Sequence, residues 1–284
     1  MENPFYFKGF GKHEDAAFRG RGLDVCLDVK DINLIHWLNA NSFRTSHYPY
    51  AEEMYQLCDR EGIVVIDETP AVGIGAGDKI DPYKTFHIRE HHEQVLREMI
   101  ARDKNHPCVV MWSMGNEPDT EHFPESAYDY WHSLYELTHS LDPADRPVTF
   151  VCCQNNYERD LVTRTMDVVC VNRYYGWYNL SGDLDAACYA LNMELDFWEK
   201  QNKPVMITEY GADAVAGIQR ERAGKCSPRS SRWNITADRM RNLTSAASSS
   251  ASRSGTLRIS PQSRAACVAD GNKKRVSLPV DRRP

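Results

Sequence analysis

Short apolar runs rich in β-branched residues alternate with longer stretches of helical periodicity over the first 218 residues. The runs are NSFRTSHYP around Phe43, GIVVIDE at 62–68, VVMWSMGNEP at 109–118, PVTFVCC at 147–153, DVVCVNRYY at 167–175 and PVMITEYG at 204–211. FYFKGFGKHE at 5–14 is a weaker seventh. Helical patterns lie between them at 27–40, 51–61, 86–104, 126–141 and 185–202. Strands separated by helices pair in parallel, because each must return through a crossover. Seven strands, each with something polar or charged at its far end, predict an α/β fold. The closest arrangement is a (β/α)₈ TIM barrel whose eighth strand is not recognisable. A doubly wound open sheet is the competitor, but Gly73-Ile-Gly-Ala-Gly77 lacks the spacing of a dinucleotide turn and reads as a flexible loop.

Within this pattern, VVMWSMGNEP reads as a strand buried on both sides that ends abruptly on Asn116, Glu117 and Pro118. A carboxylate there stands where α/β barrels keep catalytic groups, although a helix N-cap or turn acid would look the same. PVMITEYG repeats the setting around Glu209: an apolar run, a glutamate, then a glycine. Strand tips converge on one mouth of a barrel, so the two glutamates can face each other across a large sequence gap. Paired carboxylates are what glycoside hydrolysis needs, one protonated to serve the leaving oxygen and one ionised to attack the anomeric carbon. Asn116 adds an amide that can grip a sugar hydroxyl. NRYYGWY at 172–178 supplies flat aromatic faces on which sugars stack.

Composition excludes several other classes. With 42% hydrophobic and 26% charged residues the chain is ordinary for a globular protein. No apolar run approaches a membrane span, and MENPFYFKGFGKHED does not read as a secretion signal. The nine Cys are scattered without CxxC or metal spacing, which suits buried thiols in a reducing compartment, so the cytoplasm is expected. Residues 220–284 hold 15 Lys+Arg against 4 Asp+Glu, a balance of +11 that leaves the rest of the chain at −17 within the total of −6. An acidic body argues against nucleic acid as a partner. His87-Ile-Arg-Glu-His91 matches an HxxEH zinc pattern, but its face lies opposite Val95, Leu96, Met99 and Ile100 and reads as solvated.

At these residues the chain resembles glycoside hydrolase family 2, and within it the enzymes that act on β-D-glucuronides. NSFRTSHYPYAEEMYQLCDREGIVVIDE at 41–68 and DKNHPCVVMWSMGNEPDT at 103–120 carry the family likeness. NRYYGWY and ITEYGAD narrow it, and the similarity runs from about residue 3 to about residue 217. The resemblance implies a retaining double displacement with Glu117 as acid/base and Glu209 as nucleophile, their carboxyl groups about 5–5.5 Å apart. Asn116 would hold the sugar 2-hydroxyl, and Asn172, Tyr174 and Tyr178 would line the site, with Tyr174 or Tyr178 bonded to Glu209. His47 would sit at the second strand tip and Asp15 at the first, though Asp15 is equally a loop or cap acid. Asn272 and Lys274 would form an Asn-x-Lys pair for the sugar carboxylate, or else be part of a basic tail. No cofactor or metal is implied. The expected partner is a small-molecule glycoside or glucuronide conjugate, with neither nucleic acid nor membrane involved, and full-length relatives are expected to be homo-oligomers. A β-galactosidase or β-galacturonidase of the same family, or a catalytically inactive fragment, are the alternatives.

The resemblance also predicts what should surround the barrel. The family places two β-sandwich-like domains before it, whereas this chain begins at the barrel. After the seventh strand a helix and an eighth strand should follow, but 219–284 is rich in Arg and Ser. That segment is expected to be a family C-terminus read in a shifted frame, since SPRSSRW and GTLRIS fit displaced readings of family-like runs. The domain division is therefore 1–218 barrel and 219–284 basic tail.

Overall fold

The computed structural model describes residues 5, 7–16 and 18–211. Asn272, Lys274 and the basic tail lie outside the described residues. The elements are β1 (Gly9–Lys12), α1 (Val25–Trp37), β2 (Ser42–Thr45), α2 (Glu52–Glu61), β3 (Val64–Glu68), α3 (Pro82–Thr85) and α4 (Arg89–Asp103). They continue with β4 (Val109–Asn116), α5 (Pro124–Leu141), β5 (Val148–Cys152), a 3₁₀ turn (Thr163–Thr165), β6 (Val169–Arg173), α6 (Leu184–Glu199) and β7 (Val205–Tyr210). All seven strands pair in parallel in chain order, as the alternation predicts.

The helices start where polar side chains satisfy free amides. Asp24 accepts from Leu27 N at 3.2 Å, and Asp183 accepts from Ala186 N at 3.0 Å. Pro82 and Pro124 open α3 and α5, where a missing N–H costs nothing. α2 ends on Gly62 at φ 70, a left-handed cap that glycine adopts freely. The helix predicted over 86–104 forms as α4 at 89–103, starting late because His87 is left-handed at φ 51 between α3 and α4. His87 is therefore off the helix that the zinc pattern requires. Both His87 and His91 are exposed, and the buried member of the run is His92.

Side-chain alternation builds two apolar layers. Val65, Trp112, Met114, Val169 and Ile207 face outward onto the helices. Ile66, Met111, Val151, Val168, Cys170 and Met206 turn inward and plug the floor of the barrel with Phe7. Each large side chain fully buried contributes about 1.5–3 kcal/mol. Above this floor the interior turns polar: Arg44, Glu68, Ser113, Asn116, Asn172 and Glu209 are all buried.

Two bulges set which residues reach that upper layer. Along β6 and β7, Val171 faces Ile207 but Asn172 faces Glu209, so Thr208 is one residue too many. Between β4 and β5 the pairing steps from Ser113–Thr149 to Asn116–Val151. An extra residue re-aims the side chains that follow it, and here it turns Glu209 and Asn116 inward. Among the described residues β1 and β7 flank the sheet without pairing. A cavity of about 50 Å³ lies between them, lined by Phe10, Phe43, Ile66 and Met206 and reaching Arg44 and Glu209.

Candidate active site

Glu117 follows β4 directly and is left-handed at φ 52. A β-carbon makes that conformation cost about 1–2 kcal/mol, and such strain concentrates at functional positions. Its Oε1 accepts from Asn172 Nδ2 at 2.8 Å. Asn172 also donates to Asn116 Oδ1 at 3.1 Å and accepts from Thr208 Oγ1 at 2.8 Å, which fixes the amide's orientation. Arg44 donates to Asn116 Oδ1 as well, at 3.3 Å. With its oxygen taken by two donors, the Asn116 amide is held in one orientation.

Glu209 has a donor on each oxygen. Arg44 Nη2 reaches Oε1 at 2.5 Å, and the Tyr174 hydroxyl reaches Oε2 at 2.8 Å. Burial and then the Glu209 charge raise the Tyr174 phenol far above its usual pKa, so it remains a donor. Tyr178 packs edge-on against Tyr174, ring centres 5.1 Å apart, and is itself largely exposed. Cys153, just past β5, is pushed up to about 12 by burial and then by Glu117, with Glu209 a further contributor. One thiol thus senses both glutamates, which stand at the same mouth.

The sequence reading missed the group that links them. Arg44 is buried and bridges Glu209 to Glu68, with Nη1 2.6 Å from both Glu68 oxygens. Burial works against the Glu68 charge, but Arg44 and then His47 and Ser113 outweigh it and hold its pKa below the ordinary value. Ser113 Oγ donates to Glu68 at 2.7 Å. His47, two residues past β2, has Nδ1 2.8 Å from Glu68 and Nε2 3.8 Å from Glu209. His13 packs edge-on against His47 at 5.5 Å. Burial and then His47 lower its pKa, against the pull of Asp15 and Glu209. Asp15 thereby stands at the rim, exposed, acting on His13. The signal for Glu68 was present: GIVVIDE is an apolar run ending on a carboxylate, the same pattern as at Glu117 and Glu209.

Chemically, the mouth combines a carboxylate held by an arginine and a phenol, a second carboxylate on a strained backbone, and a buried amide hydrogen-bonded to the same network. These are the parts of two-carboxylate glycoside chemistry. Comparison with known proteins agrees. Residues 2–225 match the model of Glycosyl hydrolases family 2, TIM barrel domain. A protein of Paenibacillus borealis named beta-glucuronidase is 51% identical over 225 residues, covering 76% of this chain and 37% of its own length. The structure of Faecalibacterium prausnitzii beta-glucuronidase superposes with a TM-score of 0.82 at 65% identity, over 85% of this chain and 40% of that one. A Bifidobacterium dentium beta-glucuronidase, solved with coumarin-3-O-glucuronide, gives 0.80 at 59% identity over 85% and 39%. The chain spans about two fifths of the length of these relatives. By sequence match and superposed fold, the chain belongs to the family 2 glycosyl hydrolases through their TIM-barrel domain.

Proposed function

We propose that the chain is the catalytic barrel of a β-glucuronidase, which hydrolyses β-D-glucuronides with retention. The observation that carries this reading is the joining of Asn116, Glu117 and Glu209 at one mouth through Asn172, Arg44 and Tyr174. Glu209 attacks the anomeric carbon, and Arg44 and Tyr174 leave one of its lone pairs directed at the sugar. The bond to the aglycone oxygen breaks as Glu117 gives that oxygen its proton, forming a glycosyl ester on Glu209. Glu117, now ionised, takes a proton from water, whose oxygen opens the ester and regenerates Glu209. Asn116 donates to the sugar 2-hydroxyl, where a hydrogen bond strengthens as positive charge develops at the neighbouring carbon. Tyr178 and Trp177 offer aromatic surface to the sugar or aglycone. Asn272 and Lys274 remain the proposed contacts for the sugar carboxylate. The seven free thiols among the described residues support a reducing, cytoplasmic setting.

The test is hydrolysis of an aryl β-D-glucuronide beside an aryl β-D-galactoside by the purified chain. Glucuronide turnover that Glu209→Gln abolishes, and that Glu117→Gln reduces by about 10²–10⁴-fold, is expected. Preference for the galactoside would move the substrate elsewhere in the family. Folded protein that turns over neither would identify a noncatalytic fragment. Activity surviving Glu209→Gln would overturn the assigned nucleophile.

A further inference from the structure

A second cluster of reactive side chains lies at the opposite end of the barrel, and the glycosidase chemistry does not use it. Asp59 is in the last turns of α2, His106 is in the turn before β4, and Cys108 immediately precedes β4. One donor atom from each, a carboxylate oxygen, an imidazole nitrogen and a thiol sulfur, lies within 4.8 Å of the other two. The group is already ordered: Asp59 Oδ2 is 2.6 Å from His106 Nδ1, and Asp59 Oδ1 accepts from Cys108 N at 2.9 Å. The His106 ring also packs on Tyr55, with centres 5.5 Å apart. Cys108 is buried, while the Asp59 and His106 side chains keep 22% and 17% of their surface, enough for an ion to enter from solvent. Arg102 lies nearby over Tyr55, but its guanidinium is held by both oxygens of Asp103 and is not the counter-charge of this cluster.

We propose that Asp59, His106 and Cys108 form a binding site for a thiophilic divalent cation of the zinc class. Carboxylate, neutral imidazole and thiolate are its preferred donors, and three protein ligands with a water in the fourth position is a common arrangement. Tetrahedral zinc with bonds of about 2.0–2.3 Å sets its ligand atoms about 3.4–3.8 Å apart, so rotations of the Asp59 and His106 side chains suffice. Binding balances simply. The Cys108 thiol releases its proton to solvent, the imidazole proton moves from Nδ1 to Nε2, and one carboxylate and one thiolate neutralise the 2+ charge. The ion would tie α2 to the entry of β4. From there eight strand residues, about 3.3 Å each, separate it from the mouth, so it acts on stability and not on turnover.

Titration of the full chain with Co²⁺ tests this, because a thiolate–Co²⁺ charge-transfer band and tetrahedral visible bands report the ligand set directly. One equivalent should bind with both signatures, and Zn²⁺ should displace it and raise the thermal midpoint without changing glucuronide turnover. Cys108→Ser should remove the thiolate band, and Asp59→Asn should weaken binding at least about tenfold. His106→Gln, which keeps the thiol, decides the matter if Cys108→Ser does not fold. Absence of the thiolate band, or a band that survives loss of Cys108 or His106, would overturn the assignment.

Discussion

Arg44 shows how much of the site rests on one side chain. It is buried between Glu68 and Glu209, so its removal would leave two carboxylates without their cation. Breaking a buried ionic network by deleting one partner costs about 3–5 kcal/mol. Arg44→Met is therefore expected to lower the unfolding free energy by that amount in a urea titration, and to abolish turnover. Tyr174→Phe is the milder probe, since it removes one donor from Glu209 and little packing. A hydrogen bond to a charged group is worth about 1.5–3 kcal/mol, so kcat should fall by about 10–150-fold with the thermal midpoint nearly unchanged. Equal loss of stability and turnover would instead make Tyr174 a structural residue. The candidate residues Glu117, Glu209 and Asn116 were legible in the sequence because each stands where an apolar, β-rich run gives way to polar residues. Arg44 was hidden because a cation inside a strand carries no periodic signal until its partners are known.

At the scale of elements, β4 carries the strictest packing. A β-carbon added at Gly115 would meet the Ala71 carbonyl oxygen and the Trp131 ring edge, both at 2.8 Å. Backbone and a fully buried indole cannot yield, so Gly115→Ala should destabilise by about 1–3 kcal/mol and displace Glu117 enough to lower turnover. The same strand is braced from α4 by His92, whose Nε2 lies 2.9 Å from the Met114 carbonyl and whose Nδ1 lies 3.0 Å from the Tyr130 hydroxyl. That geometry suits a neutral ring, and burial lowers its pKa from 6.5 to about 4. As pH falls below 6.5 the unfolded chain takes up this proton before the native one does, so stability drains away through that window and levels off near 4. Between pH 6.5 and 5 the loss is about 1–2 kcal/mol, short of the full 1.4 kcal/mol per unit because the unfolded imidazole is already half protonated at 6.5. Chemical denaturation at those two values should show it, and His92→Gln should lack that component. An unchanged pH slope in the variant would assign the loss to other groups.

At the scale of the whole molecule, stability turns on how the barrel closes. Among the described residues seven strands pair in order, while β1 and β7 border a cavity that reaches Arg44 and Glu209. A (β/α)₈ barrel has no free edge, and unpaired edges expose backbone and core. The Arg- and Ser-rich composition of 219–284, where a helix and an eighth strand are expected, supports our proposal that this segment stems from a shifted reading frame. Resequencing the gene tests it directly, and a clean continuous frame giving this tail would sink it. A chain with the frame restored should melt higher than the present one, each kcal/mol gained being worth about 2–4 °C. It should also bind less of a hydrophobic dye. Identical midpoints would mean that the seam does not limit stability.

The sequence alone determined the order and direction of the strands, because alternating periodicities leave parallel pairing as the economical solution. It also marked the two candidate glutamates, by their place at the ends of apolar runs. Tertiary structure decided the rest. A period-two strand assigns Glu209 to the outer face with Ile207, and only the bulge at Thr208, read against β6, turns it inward. The same holds for Asn116, whose direction depends on its register with β5. His87 left its predicted helix because its own backbone is left-handed and α4 begins only at Arg89, and Glu68 joined the site because Arg44 reaches it from the neighbouring strand. Register, bulges and buried ion pairs are relations between segments distant in sequence. Local propensity carries no record of them, which is why the two carboxylates could be found in the sequence but the group that joins them could not.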